Sequence, residues 1–304
     1  MSASTQSAEH RWPTAALDDK SSSQQERAFC CAIGRMAVRN LYAELSLYPK
    51  PGLVSLIDNG SHDDMTAVSF VRSLFSLRHY FIHITKAGID TVSFKILKQL
   101  GIEAERCMLT ATCGINTHRG AIFCVGMLCA AIGACRAHRI SLSAQAIRTT
   151  LLMQWGVALT THTQTNEAKS HGQKATILHA VSGAREEMAL GLPSVFEIAL
   201  PALQKTLAAG RSWDCARIDA LFALMAHISD TNVYHRGGAP GADTVRSHAK
   251  NFIALGGTAN PEWHLRALES HRTFIEKGLS PGGAADLLAA TCFVHEATRR
   301  FMRK

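Results

Sequence analysis

Apolar residues recur along most of this chain at the spacing of one helical face. Over 26–47 they fall at Phe29, Ile33, Ala37, Leu41 and Leu45, a three-to-four-residue period that predicts an amphipathic helix. The segment Tyr48-Pro49-Lys50-Pro51-Gly52 ends it, because proline lacks the amide hydrogen that a helix needs. The same pattern predicts helices near 63–86, 91–109, 118–138, 143–160, 173–190, 194–209, 213–229, 240–256, 261–278 and 282–302. No alternating stretch longer than four residues argues for a strand. There is no Gly/Ser linker and no repeat of fixed period. The expectation is therefore all-α: a flexible, polar, Ser-rich tail over 1–25, then a single multi-helix domain over 26–304.

Composition narrows the function classes. The chain has 304 residues, 47% hydrophobic and 18% charged, which excludes a disordered chain or a coiled coil. The net charge of +8 is spread without a Lys/Arg block, and aromatics are only 7%. Neither feature suits nucleic-acid binding, and no nucleic-acid partner is expected. The excess charge reads either as solubility or as attraction for a polyanionic ligand. Nine cysteines without a CxxC pair, among them Cys124, Cys129 and Cys135 in apolar runs, read as buried free thiols of a cytoplasmic protein. The longest apolar run, 121–135, is shorter than the roughly 20 residues a bilayer requires, so no membrane role is expected.

The chemistry sits in the connectors. Ordinary helix connectors need a cap and a glycine. Here the segments 49–52, 60–64, 114–120, 170–172, 230–238 and 280–283 combine Gly, His, Asp, Asn, Lys and Arg. Such a set suggests one site assembled from several inter-helix loops. Three carboxylates also fall on apolar faces: Asp64 ahead of Val68, Val71 and Phe75, Glu44 three turns after Ile33, and Asp286 with Ala289, Ala290, Phe293 and Ala297. Carboxylates inside a helical assembly must be paired, act as caps or bind a cation. Mg²⁺ suits such donors and usually arrives with substrate phosphates.

Ser280-Pro281-Gly282-Gly283 reads as a helix start with bare amides, the arrangement that binds anions. Tight helix packing at the two glycines explains it equally well. His235, Arg236 and Gly237 have similar character, and Lys50 and Arg119 add positive charge in other loops. Neither a P-loop nor a Rossmann fingerprint occurs. His62, His118, His171 and His235 are acid–base candidates, whereas His79 and His83, four residues apart, form a weaker metal pair. The His62-Asp63 dipeptide also raises an HD-type metal phosphohydrolase, although the only upstream histidine is His10.

Six motifs, in order, carry a resemblance. They are Glu44-Leu-Ser-Leu-Tyr-Pro-Lys-Pro-Gly-Leu-Val54, Gly60-Ser-His-Asp-Asp-Met65, Asn116-Thr-His-Arg-Gly-Ala-Ile-Phe123, Gly183-Ala-Arg-Glu-Glu187 with Gly191-Leu-Pro-Ser-Val195, Asp230-Thr-Asn-Val-Tyr-His-Arg-Gly-Gly238, and Ser280-Pro-Gly-Gly-Ala-Ala-Asp-Leu-Leu-Ala289. Together they resemble the triphosphoribosyl-dephospho-CoA synthase family over about 30–300. The Leu-Tyr pair before Pro-Lys-Pro-Gly looks more like its malonate decarboxylase branch than its citrate lyase branch. Arg119 stands where that family often has lysine.

The resemblance implies a transferase that uses ATP and 3′-dephospho-CoA, releases adenine and needs Mg²⁺. Its product would go to a separate carrier-protein transferase. The implied assignment puts Asp64, Asp230 and Asp286 on the metal, and Glu44, His62, Asp64 and His118 in catalysis. It puts Lys50, Ser61, Asn116, Thr117, Arg119, Arg185, Asn232, His235, Arg236, Gly237, Ser280, Gly282 and Gly283 on the nucleotide. A homodimer is a candidate assembly.

Overall fold

A computed structural model describes residues 15–163 and 183–301. Eleven α-helices and no strand occur among these residues. The first five are α1 (Ala15–Leu45), α2 (Ala67–Ile89), α3 (Phe94–Ala111), α4 (Arg119–Ala137) and α5 (Ala144–Thr163). After α6 (Ala184–Ala189), a π-helical turn (Ser194–Ala199) runs into α7 (Leu200–Ala208). Then come α8 (Trp213–His227), α9 (Thr231–Ala254), α10 (Trp263–Glu276) and α11 (Gly282–Phe301).

Most helices lie where the apolar period predicts them, with three departures. Helix α1 begins at Ala15, ahead of the expected start at 26. The helix expected over 173–190 is described only at its end, as α6, and His171 with its connector 170–172 lies outside the described residues. The largest departure is α9. The polar segment 230–238, expected as a loop, is helical from Thr231. The Asp230 side chain caps it, accepting from the Asn232 amide at 2.9 Å. The helix then breaks at Gly238, whose φ of 59° and ψ of −157° are open to glycine alone. Pro240, two residues later, is tolerated because that kink has already interrupted the hydrogen-bond ladder.

Two hydrophobic clusters hold the helices. One joins α1 to α5 around α4, whose Val125, Leu128, Cys129, Ala130 and Ile132 are fully enclosed. The other joins α8, α9, α10 and the 47–53 loop. Helix α11 belongs to both, giving Phe293, Val294 and Ala297 to the first and Ala284, Leu288 and Cys292 to the second. By length and composition α4 could cross a membrane, but 78% of its apolar window is buried inside the protein. It is the core helix of the first cluster.

Helices α2 and α4 cross at backbone contact. A Cβ on Gly88 would fall 2.1 Å from the Ala130 carbonyl oxygen, and one on Gly133 would fall 2.2 Å from that of Thr85. Tyr80 strengthens the crossing by donating to the Ile122 carbonyl at 2.9 Å. All nine cysteines are free. Five are buried as expected, whereas Cys107 and Cys113 are exposed. His79 and His83 stack at 6.5 Å, and no third metal ligand joins them among the described residues. Gly88→Ala should force α2 and α4 apart and destabilise the fold by about 1–3 kcal/mol, read as a lower urea midpoint at unchanged slope.

Candidate active site

The N-termini of α4, α9 and α11 and the C-terminal end of α1 meet around a cavity of about 1520 Å³. A helix N-terminus carries amides without an intrahelical partner and a partial positive charge. Three carboxylates balance them: Glu44, Asp230 and Asp286, all in the cavity wall.

Asp230 is buried and bridges two helices. One oxygen takes the Asn232 amide at the start of α9, and the other takes the Ala284 amide at 3.0 Å at the start of α11. Burial raises its pKa, and these backbone donors act in the opposite sense. The glycines at the start of α11 make room for this junction. A Cβ on Gly283 would lie 3.0 Å from the Asp230 carboxylate, and one on Gly282 would lie 3.0 Å from the Asn232 side-chain nitrogen. Part of the helix start expected to hold phosphate is thus taken by an internal anion.

Asp286 is half-buried and lies against the start of α4, where the Ala121 backbone favours its ionised form. A Cβ on Gly120 would stand 2.0 Å from its Oδ2, so only glycine fits there. Burial, then the charges of Glu44 and Asp230, push the Asp286 pKa well above the ordinary aspartate value.

Lys50 does not reach the cavity. Its side chain is 1% exposed, and the ammonium donates to Glu44 at 2.5 Å. Burial lowers the Lys50 pKa and raises that of Glu44, and each partner's charge opposes the shift of the other. The expected phosphate contact of Lys50 is therefore an internal pair that holds the α1 end against the 48–54 loop. Ser61 is likewise structural, donating to the Leu279 carbonyl at 2.6 Å. Gly237 serves packing: a Cβ there would lie 2.5 Å from the Leu279 side chain.

Asp64 leaves the expected carboxylate set. Its side chain is 63% exposed at the cavity rim. The stripe it precedes faces outward, with Val68 59% and Phe75 65% exposed. Thr66 caps α2 instead, paired reciprocally with Ser69.

Both ring nitrogens of His62 are engaged. Arg236 sits 2.9 Å from Nδ1 and the Ser280 hydroxyl 2.8 Å from Nε2. Because guanidinium can only donate, Nδ1 accepts and Nε2 carries the hydrogen. Burial and the Arg236 charge lower the His62 pKa. A ring so occupied has no lone pair for a metal, which removes the basis for the HD-type reading. Arg236 also donates to the Ser61 and Gly278 carbonyls, at 2.9 and 3.2 Å, so it ties three loops together.

In the 114–120 loop, Asn116 accepts from the Arg119 amide at 3.1 Å. Arg119 itself is held by Glu105, Nε to Oε1 at 2.8 Å. His118 is 2% exposed, with Nδ1 2.7 Å from the Ser73 hydroxyl. Burial, then the Lys50 charge, depress its pKa to about 3. It is neutral at physiological pH, so of the acid and base roles considered for it the one open to the resting ring is that of a base or a neutral hydrogen-bond partner. Arg185 lines the cavity and donates to the His162 carbonyl at 3.2 Å, and His235 lies in the same wall.

Reading the sequence missed three contributors. Glu105 restrains Arg119. Glu187 takes the Ser194 amide and hydroxyl at 2.7 and 3.1 Å in the cavity wall. His271 links the Lys50 carbonyl, at 2.9 Å, to Asp58, at 3.1 Å. Glu187 stands inside a quoted motif and was findable there; Glu105 and His271 lie on helices with no local signal.

The profile of the CitG family, described as ATP:dephospho-CoA triphosphoribosyl transferase, matches residues 30–304. The chain belongs to this family. Members of it named probable 2-(5''-triphosphoribosyl)-3'-dephosphocoenzyme-A synthase include one from Acinetobacter calcoaceticus, 40% identical over 86% of this chain and 89% of that protein. Another, from Pseudomonas putida, is 39% identical over 87% and 94%. The 2-(5''-triphosphoribosyl)-3'-dephosphocoenzyme-A synthase of Pectobacterium atrosepticum is 34% identical over 90% and 92%. No solved structure matches.

The CitG-family site makes two stability predictions. Lys50→Met strands a buried carboxylate and should destabilise by about 3–5 kcal/mol, whereas the Lys50→Met/Glu44→Met double variant should recover most of that loss in urea melts. A carboxyl with a higher pKa folded than unfolded binds more protons folded, so its contribution weakens as pH rises above about 3.9. Asp286→Asn should thus be more stable than the parent at pH 7, with the gap closing toward pH 4.

Proposed function

We propose that this enzyme transfers the 5-triphosphoribosyl unit of ATP to the 2′-hydroxyl of 3′-dephospho-CoA with release of adenine. The observation that carries the reading is the convergence of separate motifs. Segments from 44, 62–65, 116–120, 183–187, 230–236 and 280–286 line one cavity, and family membership extends over the same span.

The chemistry breaks the N9–C1 bond of ATP and forms a C1–O2′ bond, and the hydroxyl proton ends on adenine. Positive charge builds on the ribose during cleavage. Asp286 faces the cavity, where an ionised carboxylate would stabilise that charge. Arg236 and Arg119, both in the cavity wall, supply positive potential for the triphosphate.

Mg²⁺ fits the donor set in part. Among the described residues no three side chains of the metal-binding types converge. The oxygens of Asp286 and Asp230 would instead supply one or two protein ligands beside substrate phosphates, the usual magnesium arrangement. When bound, the ion would neutralise triphosphate charge and leave C1 exposed.

Leu47 and Tyr48 before the Pro-Lys-Pro-Gly turn favour the malonate decarboxylase branch. There the product is the prosthetic-group precursor for the acyl-carrier subunit, passed to a separate transferase in the cytoplasm. Mass spectrometry of products from ATP and dephospho-CoA, with CoA as control, tests the reaction. An adduct lacking adenine is expected. Free triphosphoribose formed without dephospho-CoA would indicate a hydrolase instead. Asp286→Asn should cut adenine release by about 100-fold or more, whereas Asp64→Asn, at the exposed rim, should change it by less than about threefold. Equal losses in both variants would contradict the assignment.

A further inference from the structure

The cavity has two chemically different walls. The helix starts and carboxylates form one. The other is apolar, built by α2, α3 and α4 from Phe70, Phe94, Leu97, Ile122, Phe123 and Met127. A phosphate against that wall would lose hydration without compensation. A flat heteroaromatic ring would gain from the burial.

His118 lines the same cavity, beside Phe70 of the apolar wall. The Nε2 of His118 is enclosed and has no hydrogen-bond partner among the described residues. The neighbouring Thr117 hydroxyl, also in the cavity lining, is enclosed and equally unpartnered. Leaving such groups unpaired costs about 1–3 kcal/mol each, so a ligand atom is expected there. The His118 ring is held edge-on to Phe70 at 4.9 Å and pinned through Nδ1 to Ser73. Two residues on, Gly120 touches Asp286.

We infer that the apolar wall seats the adenine of ATP and that His118 reads it, donating from Nε2 to N3 or N7 of the purine. Thr117 supplies the second polar contact. The inference rests on the synthase reading and adds the location and identity of base recognition. With the Ser73 hydroxyl as donor to Nδ1, the tautomer that this contact requires, the hydrogen sits on Nε2. A base in this seat directs C1 of its ribose toward Asp286. The hydrogen bond strengthens as electron density moves onto the departing ring, so His118 assists departure without transferring its own proton.

The test compares ATP, 3-deaza-ATP and 7-deaza-ATP as donors to dephospho-CoA, with the full-length enzyme. His118→Ala should lower kcat/KM for ATP about 10- to 100-fold, and His118→Gln, which keeps a neutral N–H, should recover most of the loss. Parent enzyme should lose a similar factor with the one deaza analogue that lacks the contacted nitrogen, and His118→Ala should lose little more with that analogue. Equal His118→Ala losses with all three nucleotides would overturn the inference. So would a rise in KM for dephospho-CoA alone, which would give the apolar wall to the pantetheine arm.

Calorimetry with free adenine and the two deazaadenines on the parent enzyme needs no variant and no turnover. Weaker binding of one deaza base supports the subsite, and equal binding, or none of the three, refutes it. If adenine binds selectively but no adduct forms, the synthase reading fails and the base subsite stands.

Discussion

A single buried carboxylate holds the active-site half of the molecule in register. Asp230 closes the start of α9 with one oxygen and the start of α11 with the other. The two helix ends would otherwise repel through their dipoles and leave buried amides unpaired. With that bridge in place, α9 delivers Arg236 to His62 and α11 delivers Ser280 to the other side of the same ring. This part of the cavity wall is therefore one hydrogen-bonded unit, although its members come from distant segments of the chain.

The cost of this construction is electrostatic. Asp286 faces both Glu44 and Asp230, and among the described residues only Glu44 of the three has a direct cationic partner, Lys50. Burial and mutual repulsion raise the proton affinity of Asp286. A site built this way is less stable than an apolar one of equal volume, and it is prepared for positive charge, whether a cation or a developing sugar cation. The helix starts prepare the same space for phosphates. The two offset each other within the protein and are together complementary to a polyphosphate whose ribose becomes cationic.

Much of the fold was legible along the chain, because a helix buries a face whose period is local. The apolar stripes located α2 to α5, α8, α10 and α11 within a few residues. The failures have physical causes. The polar segment 230–238 reads as a loop, yet it is a capped helix broken only at Gly238. Its cap, Asp230, is also needed by α11, some fifty residues away. Asp64 sits on a stripe that faces outward, and periodicity cannot tell which of two faces meets the core. Lys50 looks like a phosphate ligand beside its glycine and prolines, but it is turned inward by Glu44.

By itself, the sequence determined the all-α class, the positions of most helices, the family and the set of loops that carry chemistry. Each depends on residues near one another in the chain or on motifs matched as text. Only the tertiary structure decided what each loop residue does. It sent Lys50, Ser61 and Gly237 to hold the scaffold, left Asp64 at the rim, occupied both nitrogens of His62 and buried His118 in its neutral form. Those outcomes depend on burial and on partners far away in sequence, and a charge or proton affinity is set by what surrounds a side chain once the chain has folded.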